Sequence, residues 1–119
     1  PNMAMIIGYI NASWTLKVDI AADYICRLIN HMDKNGFDEV IAHADPLQRE
    51  NDTIMGKMSS GYIARAADVM PKQGKQAPWK ITNNYLVDRK ELKDAKFDDG
   101  VLEFHKRGEQ ADRKPKLVS

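Results

Sequence analysis

A single cysteine, Cys26, stands in the chain, so no internal disulfide is possible and a reducing compartment such as the cytoplasm fits. No run approaches the roughly 18 consecutive apolar residues that span a membrane, so no transmembrane segment is expected. The apolar start, residues 3–10, lacks the basic n-region and small-residue cleavage site of a secretory signal. Charge of one sign is not in excess. The formal net charge is +1, which gives no global pull toward nucleic acid or acidic membranes. The seven glycines form no Gly-x-Gly-x-x-Gly fingerprint. Gly56 and Gly61 have the Walker A spacing, but Tyr62-Ile63 stands where Lys-Ser/Thr is required, which excludes a P-loop. His31, His43 and His105 show no metal-ligand spacing and have no cysteine partners.

What remains is ordinary globular composition, 43% hydrophobic and 29% charged over 119 residues, enough for one small domain. The charge is unevenly placed. From His105 onward there are five basic and two acidic residues, against 13 and 15 before it. Residues 105–119 therefore read as a disordered, solvated basic tail rather than a nucleic-acid arm. A start at Pro1 instead of Met fits a fragment or a processed product.

The most informative stretch is Gly8-Tyr9-Ile10-Asn11-Ala12-Ser13-Trp14-Thr15, followed by an amphipathic segment from Leu16 to Asn35. Residues 3–10 are continuously apolar, which suits a strand buried on both faces. Residues 11–15 are turn-like, with Ser13 or Thr15 as N-cap. Val18, Ala21, Ala22, Ile25, Leu28, Ile29 and Met32 then form one stripe at helical spacing. Asp23 and Arg27 pair four apart, Asp19 near the start and Lys34 at the end suit the helix dipole, and Asn35-Gly36 stops the helix.

Beyond it, residues 40–44 read as a short strand and 45–53 as a polar loop. Ser59 or Ser60 is placed to cap a second helix over 62–69, which Pro71 ends. Residues 72–78 read as a basic loop, with Trp79 anchoring the chain on something apolar. A third helix is expected from Asn83 or Asn84 to Lys93, a turn at Asp98-Asp99-Gly100, and a last strand over 101–104. A self-contained sheet needs more strands than this, so the strand over residues 4–10 is expected to complete a sheet supplied from elsewhere. Taken one at a time, other features have plain readings. His31 reads as a helix C-terminal cap, Cys26 as a core thiol, Asp98 and Asp99 as turn formers. Lys72, Lys75 and Lys80 read as a solvated surface.

The segments 8–19 and 26–33 resemble the C-terminal part of class B flavoprotein monooxygenases. The likeness is strongest to the Baeyer–Villiger-type branch that contains ethionamide-activating monooxygenase. It continues through Ser60-Gly61-Tyr62-Ile63-x-Arg65, Met70-Pro71-Lys72-Gln73-Gly74, Ala77-Pro78-Trp79-Lys80 and Asn84-Tyr85-x-x-Asp88, in the family's order, and covers roughly residues 2–104. The resemblance implies an FAD- and NADPH-dependent enzyme that inserts one oxygen atom from O₂ into ketones or oxidises sulfur or nitrogen centres. It also implies upstream FAD and NADPH domains in the same polypeptide, with a small-molecule ketone or thioether as substrate.

The fold class that follows is an α+β fragment. Residues 1–36 would be the last strand and helix of an FAD-binding α/β domain, and 37–104 a C-terminal extension of short helices and loops. The family's glycine motifs, fingerprint His and catalytic Arg are absent from this sequence, so the chain alone is expected to be inactive, with no catalytic residue of its own. The residues expected to touch the flavin are Asn11, Ala12, Ser13, Trp14 and Thr15, at the N-terminus of the last helix of the FAD domain. The alternative is a stand-alone small α+β binding or dimerisation module without catalysis.

Overall fold

A computed structural model describes residues 2–54 and 61–108. The chain is α+β. Its dominant element is α1, Trp14–Asn35, which starts two residues before the amphipathic segment that begins at Leu16. Ser13, in extended backbone conformation, is the N-cap residue. At the other end Gly36 takes a left-handed φ of 68°. Its N–H and that of Phe37 donate to Asp33 and Met32 carbonyls, which closes the helix in the way the Asn-Gly pair predicts. The Asp23–Arg27 pair forms at 3.2 Å. Asp19 does not serve the dipole as expected, because the early start of α1 leaves its first turn without an acidic residue.

Two small antiparallel sheets follow. β1, Glu39–Ala42, pairs with β4, Leu102–His105, in the register Val40 opposite Phe104. β2, Arg49–Thr53, pairs with β3, Lys72–Gly74. The second sheet is a correction to the sequence reading, which made loops of 45–53 and 72–78. Neither strand alternates apolar and polar residues, so period-2 patterning cannot reveal them. They are held instead by local geometry. Asp45 caps a 3-10 turn at Pro46–Gln48, the Gln48 carbonyl accepts from the Lys75 amide, and Gly74 lies so close to Trp79 Cβ that a side chain there would overlap it. The Ala77–Pro78 peptide is cis.

α2 is Gly61–Ala66, and the caps expected at Ser59 or Ser60 lie outside the described residues. α3 is Tyr85–Asp94, capped by Asn84, whose side-chain oxygen accepts from the Leu86 and Val87 amides. The turn at 98–100 forms as expected: Gly100 has a φ of 80° and Asp99 accepts from the Val101 amide. The expected tail lies outside the described residues beyond Gly108, and His105 belongs to β4.

The C-terminal half of α1 packs on the β1–β4 sheet through aromatic rings. His31 sits 5.1 Å from Phe97 and 5.2 Å from Phe104, and Phe37 stacks on Phe104 at 5.0 Å. His31 is therefore part of this ring cluster and not the C-terminal cap that its position near the helix end suggested. Cys26 is exposed rather than a core thiol. The reason is general to this chain. No residue of α1 is fully buried, and Tyr9 is the one buried hydrophobic among the described residues.

Residues 4–10 form no ladder among the described residues. Met3 and Met5 stand exposed, while Gly8 and Tyr9 are buried. The expected strand finds no neighbour to pair with here, and extended backbone without a partner cannot make a sheet. The uncovered apolar surface includes Met3, Met5, Ile10, Trp14, Leu16, Val18 and Ile29. Trp14, Val18 and Ile29 share one face of α1, and Leu16 lies on the opposite face.

Candidate functional site at the start of the long helix

The five residues singled out from sequence lie together at the N-terminus of α1, and all five are exposed. A 22-residue helix concentrates unpaired N–H groups and the positive end of its dipole there. Nothing in the turn neutralises that end. Ser13 makes no capping bond to the backbone. Its hydroxyl instead lies 2.7 Å from the Thr15 hydroxyl, so the two form a pair at the surface. The Leu16 amide reaches back to the Ser13 carbonyl at 3.3 Å. The Asn11 side chain is already engaged, donating to the Asn83 carbonyl at 3.1 Å. Asn11 thus shapes the turn, while Ala12, Ser13, Trp14 and Thr15 stand exposed beside it.

Trp14 is 55% exposed, yet its ring is placed. A Cβ on Gly8 would come within 2.5 Å of the ring's Cγ and 2.7 Å of Cε3, and nearer still to Cδ2. Only a glycine lets the chain pass beneath the indole at this point. The Gly8-x5-Trp14 spacing is therefore a packing requirement that fixes how residues 8–14 fold back on themselves.

Below the turn lies a cluster that the sequence reading did not single out. Asp88, 5% exposed in the first turn of α3, accepts from the Lys17 ammonium at 2.6 Å and from the Thr82 hydroxyl at 2.5 Å. Burial alone would push the Asp88 carboxyl up, but these two donors outweigh it and hold the group below the usual carboxylate range. Tyr9 is 2% exposed beside them, with the Lys17 ammonium 5.5 Å from its ring centre. Its hydroxyl makes no well-formed hydrogen bond, and the charged Asp88 carboxylate lies beside it. Burial first, then that charge, raise the Tyr9 pKa well above the ordinary phenol value. Further along the two helices, Arg27 donates to the Leu92 carbonyl and so satisfies the C-terminal end of α3.

A signal for this cluster was present. Asn84-Tyr85-x-x-Asp88 is a helix start with an acid in its first turn, and such an acid suits the dipole. Its partner Lys17 lies 71 residues away, which no local pattern reveals.

Other candidates resolve into structure. Lys72 and Lys75 each donate to a backbone carbonyl, of Ala67 and Leu47, and so fasten the basic loop. His43, just past the end of β1, and His105, two residues along β4, both contact the Glu103 carboxylate. Among the described residues no group of three His, Cys, Asp or Glu is arranged to hold a metal ion. Among the described residues no helix is long and apolar enough to cross a membrane. Two apolar grooves flank α1. One of about 640 Å³ lies between the N-terminal segment, α1 and β1, and one of about 530 Å³ between the N-terminal segment and α3. They meet at Pro78.

Comparison with known proteins gives one consistent answer. No family model and no solved structure matches the chain. Curated relatives do. The chain is 96% identical over its whole length to a probable FAD-binding monooxygenase, AlmA, of an Acinetobacter species, and 71% identical to AlmA of Acinetobacter baylyi. Over 90% of its length it is 45% identical to the FAD-containing monooxygenase EthA of Mycobacterium tuberculosis. The chain spans about a quarter of the length of these relatives, 24% of each AlmA and 22% of EthA. The resemblance carried by the motifs is thereby shown: from end to end this chain is similar to part of the FAD-binding monooxygenases.

Proposed function

We propose that this chain is the C-terminal part of an FAD- and NADPH-dependent monooxygenase of Baeyer–Villiger type, and that its turn at residues 11–15 faces the flavin. The observation that carries the reading is the likeness to FAD-binding monooxygenases over the whole chain, together with an open, uncapped helix N-terminus at that turn. The fit is chemical. A reduced flavin carries negative charge and carbonyl oxygens on its pyrimidine ring. The turn presents backbone N–H groups, two hydroxyls and a positive dipole end, with no acidic residue in the first turn to oppose them. When bound, the flavin supplies the redox chemistry that activates O₂.

In this reading the chain's own residues bind and shield. Ala12, Ser13 and Trp14 offer backbone donors, Ser13 and Thr15 offer hydroxyls, and Trp14 over Gly8 holds the turn in place. Exposed apolar residues of the N-terminal segment and α1, among them Met3, Met5, Trp14 and Val18, pack against upstream FAD and NADPH domains of the same polypeptide. Alone, the chain is inactive. The whole enzyme acts in the cytoplasm on a small ketone or a thioether-type substrate. The rival reading as a stand-alone module requires a core that one buried hydrophobic, Tyr9, does not supply among the described residues.

Ser13→Asp in the full-length enzyme tests the reading. Aspartate is a good N-cap, so α1 gains stability while a negative charge enters the proposed flavin site. The expected result is weaker FAD binding and a lower flavin midpoint potential in a protein no less stable than wild type. Unchanged flavin affinity and potential would reject the site.

A further inference from the structure

We propose that Asp88 is a positioning residue: through Lys17, Thr82 and Asn83 it fixes the turn that, on the reading above, faces the flavin. The segment from Thr82 to Asp88 grips that turn from both ends. At the exit, Lys17 is the fourth residue of α1, and its ammonium is tied to one Asp88 oxygen at 2.6 Å. At the entry, Asn83 takes hold of two successive residues. Its carbonyl accepts from the Asn11 side chain at 3.1 Å, and its side-chain oxygen receives the Ile10 amide at 3.5 Å.

Asn83 does this from a left-handed backbone, with φ of 52°. That conformation is costly for a residue with a side chain and persists only where neighbours hold it. The neighbours are identifiable. The Thr82 hydroxyl donates to the second Asp88 oxygen at 2.5 Å and accepts from the Asn84 amide at 3.4 Å, which brackets Asn83 on both sides. Asn84 in turn caps α3, the helix that carries Asp88. One buried carboxylate thus sets the distance between the start of α1 and the loop that holds residues 10 and 11. A paired buried charge is a weak stabiliser for its cost, whereas it fixes geometry well. This gives the Asn84-Tyr85-x-x-Asp88 motif a role that the flavin contact alone does not.

The test uses the full-length flavoenzyme. Asp88→Asn keeps shape and an acceptor for Thr82 but withdraws the charge from Lys17. Thr82→Val removes the hydroxyl, and Thr82→Ser retains it. Asp88→Asn and Thr82→Val are expected to lower the flavin midpoint potential and to reduce kcat by as much as about 100-fold with KM little changed, since a small misplacement at a reacting centre has effects of that order. Thr82→Ser is expected to behave as wild type. If Asp88→Asn does not fold, Thr82→Val carries the test. Loss of thermal stability in these variants with potential and turnover unchanged would overturn the proposal and leave Asp88 a structural group. Ser13→Asp separates the two layers. If it moves the potential while Asp88→Asn and Thr82→Val do not, positioning fails and the flavin contact stands. If Ser13→Asp leaves the potential unmoved, the contact itself fails and the proposal with it.

Discussion

Gly8→Ala is the sharpest perturbation of the turn, because its effect is a matter of space. The added methyl would sit 2.5 Å from Trp14 Cγ and 2.7 Å from Cε3. Carbon atoms prefer about 3.5–4.0 Å, so the overlap is about 1 Å against several ring atoms at once. The contact includes Cγ, which lies on the χ2 axis, so spinning the ring in place does not relieve it and the Trp14 side chain must leave its rotamer or the turn must shift. Overpacking of this kind costs about 1–3 kcal/mol. If the displaced turn is the one that contacts flavin, the full-length enzyme loses that amount in FAD binding, an increase of about 5- to 150-fold in Kd. The assay is FAD titration of the apoenzyme for wild type, Gly8→Ala, Trp14→Ala and the double variant. Trp14→Ala removes the obstacle, so adding Gly8→Ala to it is expected to cost little. Equal losses from Gly8→Ala with and without the indole would refute the packing argument. Wild-type affinity in Gly8→Ala itself would refute the link between this turn and the flavin.

Three further outcomes follow from the same geometry. Asn84→Ala deletes the cap that receives two amides of α3 and is expected to destabilise that helix by about 1 kcal/mol, read as roughly fivefold faster hydrogen exchange over residues 86–92. Asp88 has a depressed carboxyl pKa in the folded protein, so its contribution is complete above the ordinary carboxylate range and is lost as pH falls from roughly 5 toward 3. Thermal unfolding of the full-length protein should therefore weaken more steeply with acid in wild type than in Asp88→Asn, and parallel curves would contradict this. Tyr9 is shifted the other way. Its folded pKa is raised, so its contribution is intact below the ordinary phenol value of about 10 and is lost as pH rises beyond it. Tyr9→Phe should abolish that alkaline loss while remaining as stable as wild type at neutral pH, because the hydroxyl has no well-formed partner. A clear neutral-pH loss would mean that the hydroxyl is hydrogen-bonded after all.

The parts of the fold that were legible in sequence are those with local causes. α1 announces itself by one apolar stripe and an Asn-Gly stop, and α3 by Asn84 before its first turn. β1 and β4 are short apolar runs that fall within two residues of where the pattern puts them. The β2–β3 pair was invisible because Arg49–Thr53 is polar throughout and its partner ends in Gly74, so neither strand has a face to detect. His31 and Cys26 were misread for a related reason. Each reading rests on a place along one helix, whereas Phe97 and Phe104, far along the chain, pack on His31, and Cys26 is left exposed. The turn at residues 11–15 was legible as a helix start, and the motif order carried its likeness to flavoproteins. What holds it was not legible. Asn83 and Asp88 act on residues about 70 positions earlier, through a left-handed backbone and a buried ion pair that no spacing encodes.

The central claim is that the start of α1 meets the flavin, and hydrogen exchange of the full-length enzyme with and without FAD tests it most directly. The amides of residues 12–16 belong to a turn that is exposed in this chain, with no side-chain cap. The account predicts that FAD slows their exchange strongly, more than that of the C-terminal half of α1, where the ring cluster already packs the helix. Exchange at residues 12–16 that is the same with and without FAD would contradict it.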